Sequence, residues 1–70
     1  MEREPIYGSG MVSMGYDGAK GILEIEWSSG KVYQYAVPDH VYWSFRDTSE
    51  KTAYFNRVIR HRFPCRLVSQ

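Results

Sequence analysis

Alternating apolar and polar positions mark three stretches of this chain as β-strands. The clearest covers residues 31–37, where valines and tyrosines favour a pleated strand. Because successive strand side chains point to opposite faces, Tyr33 and Tyr35 share one face of that strand. Similar alternation covers residues 11–16 and 22–27, so three strands are predicted.

Short connections between these stretches predict how the strands pair. Asp17-Gly18 is a tight-turn signal, and Gly30 closes the second connection. Strands joined by such short loops lie antiparallel, so the three form a meander. Its apolar face is predicted to carry Val12, Met14, Tyr16, Leu23, Ile25, Trp27, Tyr33 and Tyr35.

Helical spacing after residue 38 predicts what covers that face. Val37, Val41 and Phe45 are four residues apart and form an apolar stripe. Residues 47–50 interrupt the stripe and supply a cap for a second helix at about residues 50–60. The predicted fold is α+β: a three-stranded antiparallel β-meander followed by two α-helices packed on one face (β-β-β-α-α).

The length and composition predict one domain, over residues 11–68. Seventy residues lie near the lower limit for folding without disulfides or metal, and a hydrophobic content of 43% is enough for a core. Residues 1–10 contain proline and glycine and are predicted to form a partly mobile N-terminal arm. Residues 65–68 are expected to add a short extended tail.

The single cysteine and the lack of a long apolar run bear on location. Cys65 has no partner for an internal disulfide, which fits a reducing compartment, and it is expected to be a small buried residue. No apolar run approaches the ~20 residues needed to cross a bilayer. The charged start of the chain is unlike a signal peptide. We therefore expect a cytoplasmic protein with no membrane contact, in a bacterial cell or in the host of a phage.

Basic residues are concentrated late in the chain, although the net charge is only +1. Residues 1–45 contain three basic and six acidic side chains, whereas residues 46–70 contain six basic and two acidic ones. The modest total argues against strong nonspecific binding to nucleic acid. The late excess of arginine nevertheless indicates where an anionic partner would bind.

The densest basic run supplies the candidate binding residues. Arginine has a planar guanidinium that matches phosphate and carboxylate groups. One alternative is a solvated helix end whose positive charges suit the helix dipole, and another is an ion pair with Glu24 or Glu26. The candidate nucleic-acid or anion-binding residues are Arg57, Arg60, Arg62, Asn56 and Lys51.

Other candidate chemistry is limited. Tyr33 and Tyr35 could stack on bases, but packing beneath the helices is the preferred interpretation. His40 and His61 have no cysteine or carboxylate at metal-ligand spacing. No set of nucleophile and histidine is indicated either, so no metal, cofactor or catalytic residue is predicted.

Several short motifs together resemble one protein family. They are Met14-Gly15-Tyr16-Asp17, Leu23-Glu24-Ile25-Glu26, Tyr33-Gln34-Tyr35, Val37-Pro38, Val41-Tyr42, Tyr54-Phe55-Asn56 and Ile59-Arg60. In this order and spacing, the chain resembles the KTSC domain family from about Ser9 to Phe63. That family is named for its occurrence at the C-terminus of some lysyl-tRNA synthetases, and members also occur as small stand-alone proteins in bacteria and phages. The resemblance implies the β-β-β-α-α fold and RNA binding.

Two classes of function follow from these observations. The first is a small non-enzymatic nucleic-acid-binding module, with RNA as the partner and the late arginines on its phosphates. The alternative is a module that binds an acidic protein or a nucleotide-like ligand, with the same arginines acting at a homo-oligomer interface. Salt dependence and ligand size would separate the two.

Overall fold

The computed structural model describes residues 2–8 and 10–69, which form one antiparallel sheet with helices on one face. The strands are β1 (Glu4–Gly8), β2 (Met11–Asp17), β3 (Ile22–Trp27), β4 (Val32–Ala36) and β5 (Cys65–Ser69). The helices are α1 (Asp39–Asp47) and α2 (Lys51–Tyr54), and α2 continues directly into a π-helical turn (Phe55–Ile59). Neighbouring strands pair in the order β1-β2-β3-β4-β5.

The predicted three-stranded meander is wrong, because the sheet has five strands, although the α+β class and the two helices agree with the structure. β1 forms within the predicted N-terminal arm, of which Met1 and Ser9 lie outside the described residues. β5 forms within the predicted tail. Both lie at edges of the sheet, and all four residues from Cys65 to Val68 are exposed. A strand whose residues are all exposed has no alternation of apolar and polar positions, so the sequence pattern does not reveal β5 as a strand.

The helix-covered face of the sheet forms the core. The stripe predicted for α1 is confirmed, since Val37, Val41 and Phe45 are each 5% exposed or less. Phe55 and Ile59, on the π-helical turn, close the other half of the cover. The remaining core residues are Ile6, Met11, Met14, Leu23, Ile25, Tyr35 and Tyr42. The stripe of α1, together with Leu23 and Ile25 of β3, therefore packs as its apolar spacing predicts.

A bulge at the start of β2 changes which side chain enters the core. The pairing with β3 shifts between Met11 and Ser13. As a result Met11 is 5% exposed and packs in the core, whereas Val12 is 42% exposed. The expectation that Val12 lies on the apolar face is therefore wrong, because a bulge adds one residue and reverses the alternation before it.

The junction between the helices is held by a lysine rather than by a side-chain cap. No side chain caps the N-terminus of α2, contrary to the prediction from residues 47–50. Instead the Lys51 ammonium donates to the carbonyl oxygens of Phe45, Arg46 and Thr48 at 3.1, 2.8 and 2.8 Å. These carbonyls lie at the end of α1, where the helix dipole favours a positive charge. None of the described helices is long and apolar enough to cross a membrane.

The open face of the sheet, opposite the helices, carries a row of polar contacts that we call the polar ladder. Arg3 lies 3.5 Å from the Glu24 carboxylate, and the Gln34 amide donates to that carboxylate at 3.0 Å. Arg66 donates in turn to the Gln34 carbonyl oxygen at 3.3 and 3.4 Å. Gly15 lies beneath Arg3, and a Cβ there would be 2.9 Å from Arg3 Cγ and would also collide with the backbone before it. A glycine at this position therefore lets the ladder cross β2.

Candidate ligand groove

A surface groove of about 510 Å³ lies where the π-helical turn meets the sheet, and we call it the Arg60 groove. Its floor comes from the end of β3, the β3–β4 turn and β4, and its wall comes from the π-helical turn and the two residues after it. Cys65, the first residue of β5, completes one side. The lining residues are Trp27, Ser29, Lys31, Tyr33, Tyr35, Phe55, Asn56, Arg60, His61 and Cys65.

The π-helical turn positions the wall of this groove. The Arg60 amide donates to the Phe55 carbonyl oxygen, five residues back, at 2.9 Å. Phe55 and Ile59 are four residues apart and both face the core, at 4% and 0% exposure. Asn56 and Arg60 follow them on the adjacent side and line the groove. Single π-helical turns within α-helices are frequent at functional sites.

Arg60 and Asn56 are exposed and loosely joined. Arg60 Nη1 lies 3.5 Å from Asn56 Oδ1, at the outer limit of a hydrogen bond. Most of the five guanidinium N–H donors of Arg60 therefore remain available to a ligand. Lys31 lies across the groove on the β3–β4 turn, so two fixed positive charges border it. No aspartate or glutamate is among its lining residues.

Aromatic rings form the floor. Tyr35 is 5% exposed, and its ring packs edge-on against Phe55 with centroids 5.2 Å apart. Trp27 packs edge-on against the same phenylalanine at 5.1 Å. Tyr33 is half-buried, with its ring centroid 6.3 Å from that of Tyr35. Tyr35 is thus a core residue, and Tyr33 presents part of its ring to the groove.

Two polar groups in the floor bear on ligand binding. The Trp27 Nε1–H is buried beside the Tyr35 hydroxyl, but within the described part of the chain no acceptor lies in good hydrogen-bonding geometry to it. Burial raises the pKa of Tyr35 to about 12, electrostatic interaction with Cys65 adds to the increase, and the neighbouring Trp27 Nε1–H opposes it. The Tyr35 hydroxyl is therefore protonated at neutral pH. Both groups are hydrogen-bond donors buried beneath the aromatic part of the floor.

The structure separates the predicted binding residues into two groups. Asn56 and Arg60 line the groove together with Tyr33 and Tyr35, whereas the three other basic candidates do not line it. Arg57 and Arg62 are exposed on either side of Arg60 in the sequence. Lys51 lies at the other end of α2, where its ammonium is used to bind the carbonyls of the α1 C-terminus.

Other groove residues were not identified from the sequence as site residues. Lys31 and His61 lie 30 positions apart, and only the packing of the helix on β4 brings them to one groove. Cys65 is exposed, contrary to the expectation of a buried thiol, because no core residue covers the edge strand where it lies. One signal for Lys31 was available in the sequence. It lies two positions before Tyr33 in the predicted strand, so the two side chains were expected on the same face.

Charge distinguishes this groove from three others on the surface. A groove of about 670 Å³ on the open face contains Asp17 and Glu24 as well as Lys20 and Arg66. The two beside β1 each contain Glu4 and at least one other carboxylate. Among the described residues, no cluster of histidine, cysteine and carboxylate side chains could hold a metal ion. The Arg60 groove is thus suited to an anionic ligand with an aromatic or apolar part.

The fold and this groove define a small α+β domain with an antiparallel sheet and one helix-covered face. Comparison with known proteins gives its family: the KTSC domain profile matches residues 8–63, and the chain belongs to that family. A crystal structure of a KTSC domain protein from Yersinia pestis superposes with a TM-score of 0.90, at 34% identity over 96% of each chain. An uncharacterised protein of Stutzerimonas stutzeri is 38% identical over 61 residues, covering 86% of each chain.

Proposed function

We propose that this protein is a small non-enzymatic module that binds single-stranded RNA, with one nucleotide held in the Arg60 groove. One observation carries the proposal: Arg60 and Lys31 lie on opposite sides of the half-buried Tyr33, and no carboxylate is among the lining residues. Arginine and lysine neutralise phosphates, and an aromatic ring stacks on a base. RNA is the partner that the resemblance to the KTSC domain family implies, and we propose the cytoplasm as the location of the protein.

The arrangement of donors supports binding of a phosphate and sugar more than recognition of a particular base. The Trp27 Nε1–H and the Tyr35 hydroxyl are buried beneath the floor, so the guanidinium of the exposed Arg60 at the rim is the principal donor available to a ligand. Asn56 Oδ1 is already directed at Arg60. Its amide N–H₂ is the group best suited to a base edge. We therefore expect affinity for single strands with only modest preference between sequences.

Arg57 and Arg62 extend this proposed site beyond the groove. Both are exposed and flank Arg60 in sequence, so a strand leaving the groove could place further phosphates beside them. Contacts of this kind add affinity that depends strongly on salt concentration. They are proposed as secondary contacts, with Arg60 as the principal one.

The volume of the groove favours a second candidate, binding of a free nucleotide-like ligand. About 510 Å³ falls within the range of pockets that hold small molecules. In that case one nucleotide would bind as well as an oligonucleotide. Arg57 and Arg62 would then contribute little, because a single nucleotide does not reach beyond the groove.

The experiment is a fluorescence anisotropy titration of a labelled single-stranded RNA octamer at three salt concentrations. For Arg60→Ala we expect weaker binding and a smaller slope of log affinity against log salt, by ~0.7 for each lost phosphate contact. Arg57→Ala and Arg62→Ala should have smaller effects of the same kind. Unchanged affinity and slope in all three variants would contradict the proposal.

The matched control is Arg46→Ala, since Arg46 is an exposed arginine on α1 that pairs with Glu4 and lies outside the groove. An equal loss for this variant would indicate nonspecific attraction to net charge. Competition by adenosine monophosphate separates the two candidates. Displacement at a concentration close to the octamer's own dissociation constant would favour the nucleotide ligand over RNA.

A further inference from the structure

We propose that a second copy of this chain pairs along the outer edge of β5, so that two five-stranded sheets join into one ten-stranded antiparallel sheet. β5 ends the strand order of the described sheet. Its residues from Cys65 to Val68 are exposed, and Leu67 and Val68 are 41% and 40% exposed. Leu67 and Val68 lie on opposite faces of the strand, so an added strand would find an apolar side chain on each side of the unpaired backbone edge.

The hydrogen bonds to β4 show which backbone groups of β5 point outward. Ala36 donates its amide to the Pro64 carbonyl oxygen at 3.1 Å, so the backbone at position 64 faces β4. In antiparallel strands, every second residue directs its backbone N–H and C=O groups toward the neighbouring strand. The backbone groups of Arg66, which pairs with Gln34, therefore also face β4. The N–H and C=O groups of Cys65 and Leu67 consequently point away from the sheet. No described strand pairs with that side of β5.

The opposite edge of the sheet is protected against the same pairing. Pro5 in β1 has no amide N–H to donate, and the pairing with β2 shifts between Pro5 and Gly8. Glu4 forms an ion pair with Arg46 at 3.3 Å, so charge is also held at this edge. Proline, bulges and charges are the usual means by which proteins block edge pairing. β5 contains one charge, Arg66, and no proline.

Symmetry and charge select the register. A two-fold axis at Arg66 would place two arginines directly opposite each other, which is unfavourable. An axis at Leu67, the central residue of β5, pairs Leu67 with its own copy through the outward-facing backbone groups. Arg66 then lies opposite Val68 of the second copy, and the whole strand overlaps. The axis is perpendicular to the sheet, so the helices and the Arg60 grooves of both copies lie on the same face.

The area available predicts a weak dimer. A single five-residue strand pair buries less than the ~1,200 Å² of a stable interface, so only weak association is expected. We would measure it by sedimentation equilibrium of the full chain, from about 1 µM to about 1 mM. A chain that stays monomeric over this whole range would overturn the proposal.

Oxidative cross-linking tests the register. In the double variant Cys65→Ser/Leu67→Cys, the two Cα atoms across the axis would be about 5.5 Å apart, within disulfide range. In the unmodified chain the two Cys65 residues would be about 14 Å apart, from an offset of ~13 Å along the strands and the ~4.8 Å between them. We expect rapid cross-linking of the double variant and little of the unmodified chain. The reverse result would overturn the register.

Two substitutions test the surface itself. Leu67→Pro removes one outward-facing N–H, and Leu67→Lys places two positive charges opposite each other. Each should weaken the dimer at least tenfold, and the lysine variant decides the result if the proline variant fails to fold. Val12→Lys is the matched control, because Val12 is 42% exposed but lies on β2, away from the edge. A dimer that survives Leu67→Lys, or that is equally weakened by Val12→Lys, would contradict pairing along β5.

Discussion

The two faces of the sheet are built from the same alternating strands and differ in what opposes them. The helix-covered face buries Leu23, Ile25 and Phe45 completely. The open face carries the polar ladder, in which Glu24 accepts from Gln34 and faces Arg3. The apolar side chains of the covered face stabilise the fold because they are removed from water. The polar contacts of the open face contribute less to the free energy of unfolding, because water competes for the same hydrogen bonds.

The Arg60 groove lies where the cover of the first face ends. The π-helical turn packs over Tyr35 and buries it, but leaves Tyr33 half-buried and Cys65 exposed. Aromatic surface and cationic side chains therefore meet at one boundary. The Arg60 groove arises there because the helix layer does not extend over the β5 edge of the sheet.

The largest effect is expected from a cavity under the helices. Phe45 is fully buried, so Phe45→Ala should lower the free energy of unfolding by about 3–5 kcal/mol. A domain of this size has only about 4–10 kcal/mol in total, and much of the variant should be unfolded at 37 °C. Urea denaturation measures the change. Trp43→Ala on the same helix is the control, since Trp43 is 52% exposed and should cost less than about 1 kcal/mol. Similar losses for both would contradict the burial of α1 described above.

A smaller effect is expected from crowding the open face. Gly15→Ala places a Cβ against Arg3 and the backbone before it, so β1 must shift, and we expect a loss of about 1–3 kcal/mol. Hydrogen exchange should show the loss of protection concentrated in β1. For the control Gly18→Ala the nearest atom to the new Cβ is 3.8 Å away, and a change below about 0.5 kcal/mol is expected. Equal protection of β1 in both variants would rule out the close approach.

The smallest effect at neutral pH is expected for the hydroxyl of Tyr35, at the boundary between the two environments. Its pKa is raised from 10.0 to about 12, so the folded state retains a proton that the unfolded chain loses. The free energy of unfolding should therefore be insensitive to this group below pH 10 and should fall as the pH rises from 10 to about 12. Tyr35→Phe should reduce this alkaline loss while changing neutral stability by less than about 1 kcal/mol.

Denaturation curves at several alkaline pH values would measure that difference. The pKa of Tyr16 is also raised to about 12, mainly by burial and by its hydrogen bond to Asp39, so part of the alkaline loss should remain in the variant. An identical alkaline decline in the unmodified chain and in Tyr35→Phe would show that Tyr35 titrates near its usual value in the folded protein.

Local periodicity predicted the internal strands and both helices. β3 and β4 each have one face in water and one in the core, and such strands show alternation. The spacing of Val41 and Phe45 likewise predicted the face of α1. Of the residues that line the groove, Asn56 and Arg60 were predicted as binding residues, whereas packing in the core was the preferred interpretation of Tyr33 and Tyr35. Each of these features depends on residues close together in the chain.

The five-stranded sheet and the complete groove were decided by the tertiary structure. β5 is a strand because its backbone pairs with β4, at Tyr35 and Cys65, thirty residues apart. Lys31 reaches the same groove as Arg60 because the π-helical turn packs beside the β3–β4 turn. The alternation of apolar and polar residues carries no information about such pairings. An exposed edge strand forms its backbone hydrogen bonds without burying every second side chain. The sequence by itself thus determined which segments are amphipathic, and the packing of those segments determined which distant residues share a site.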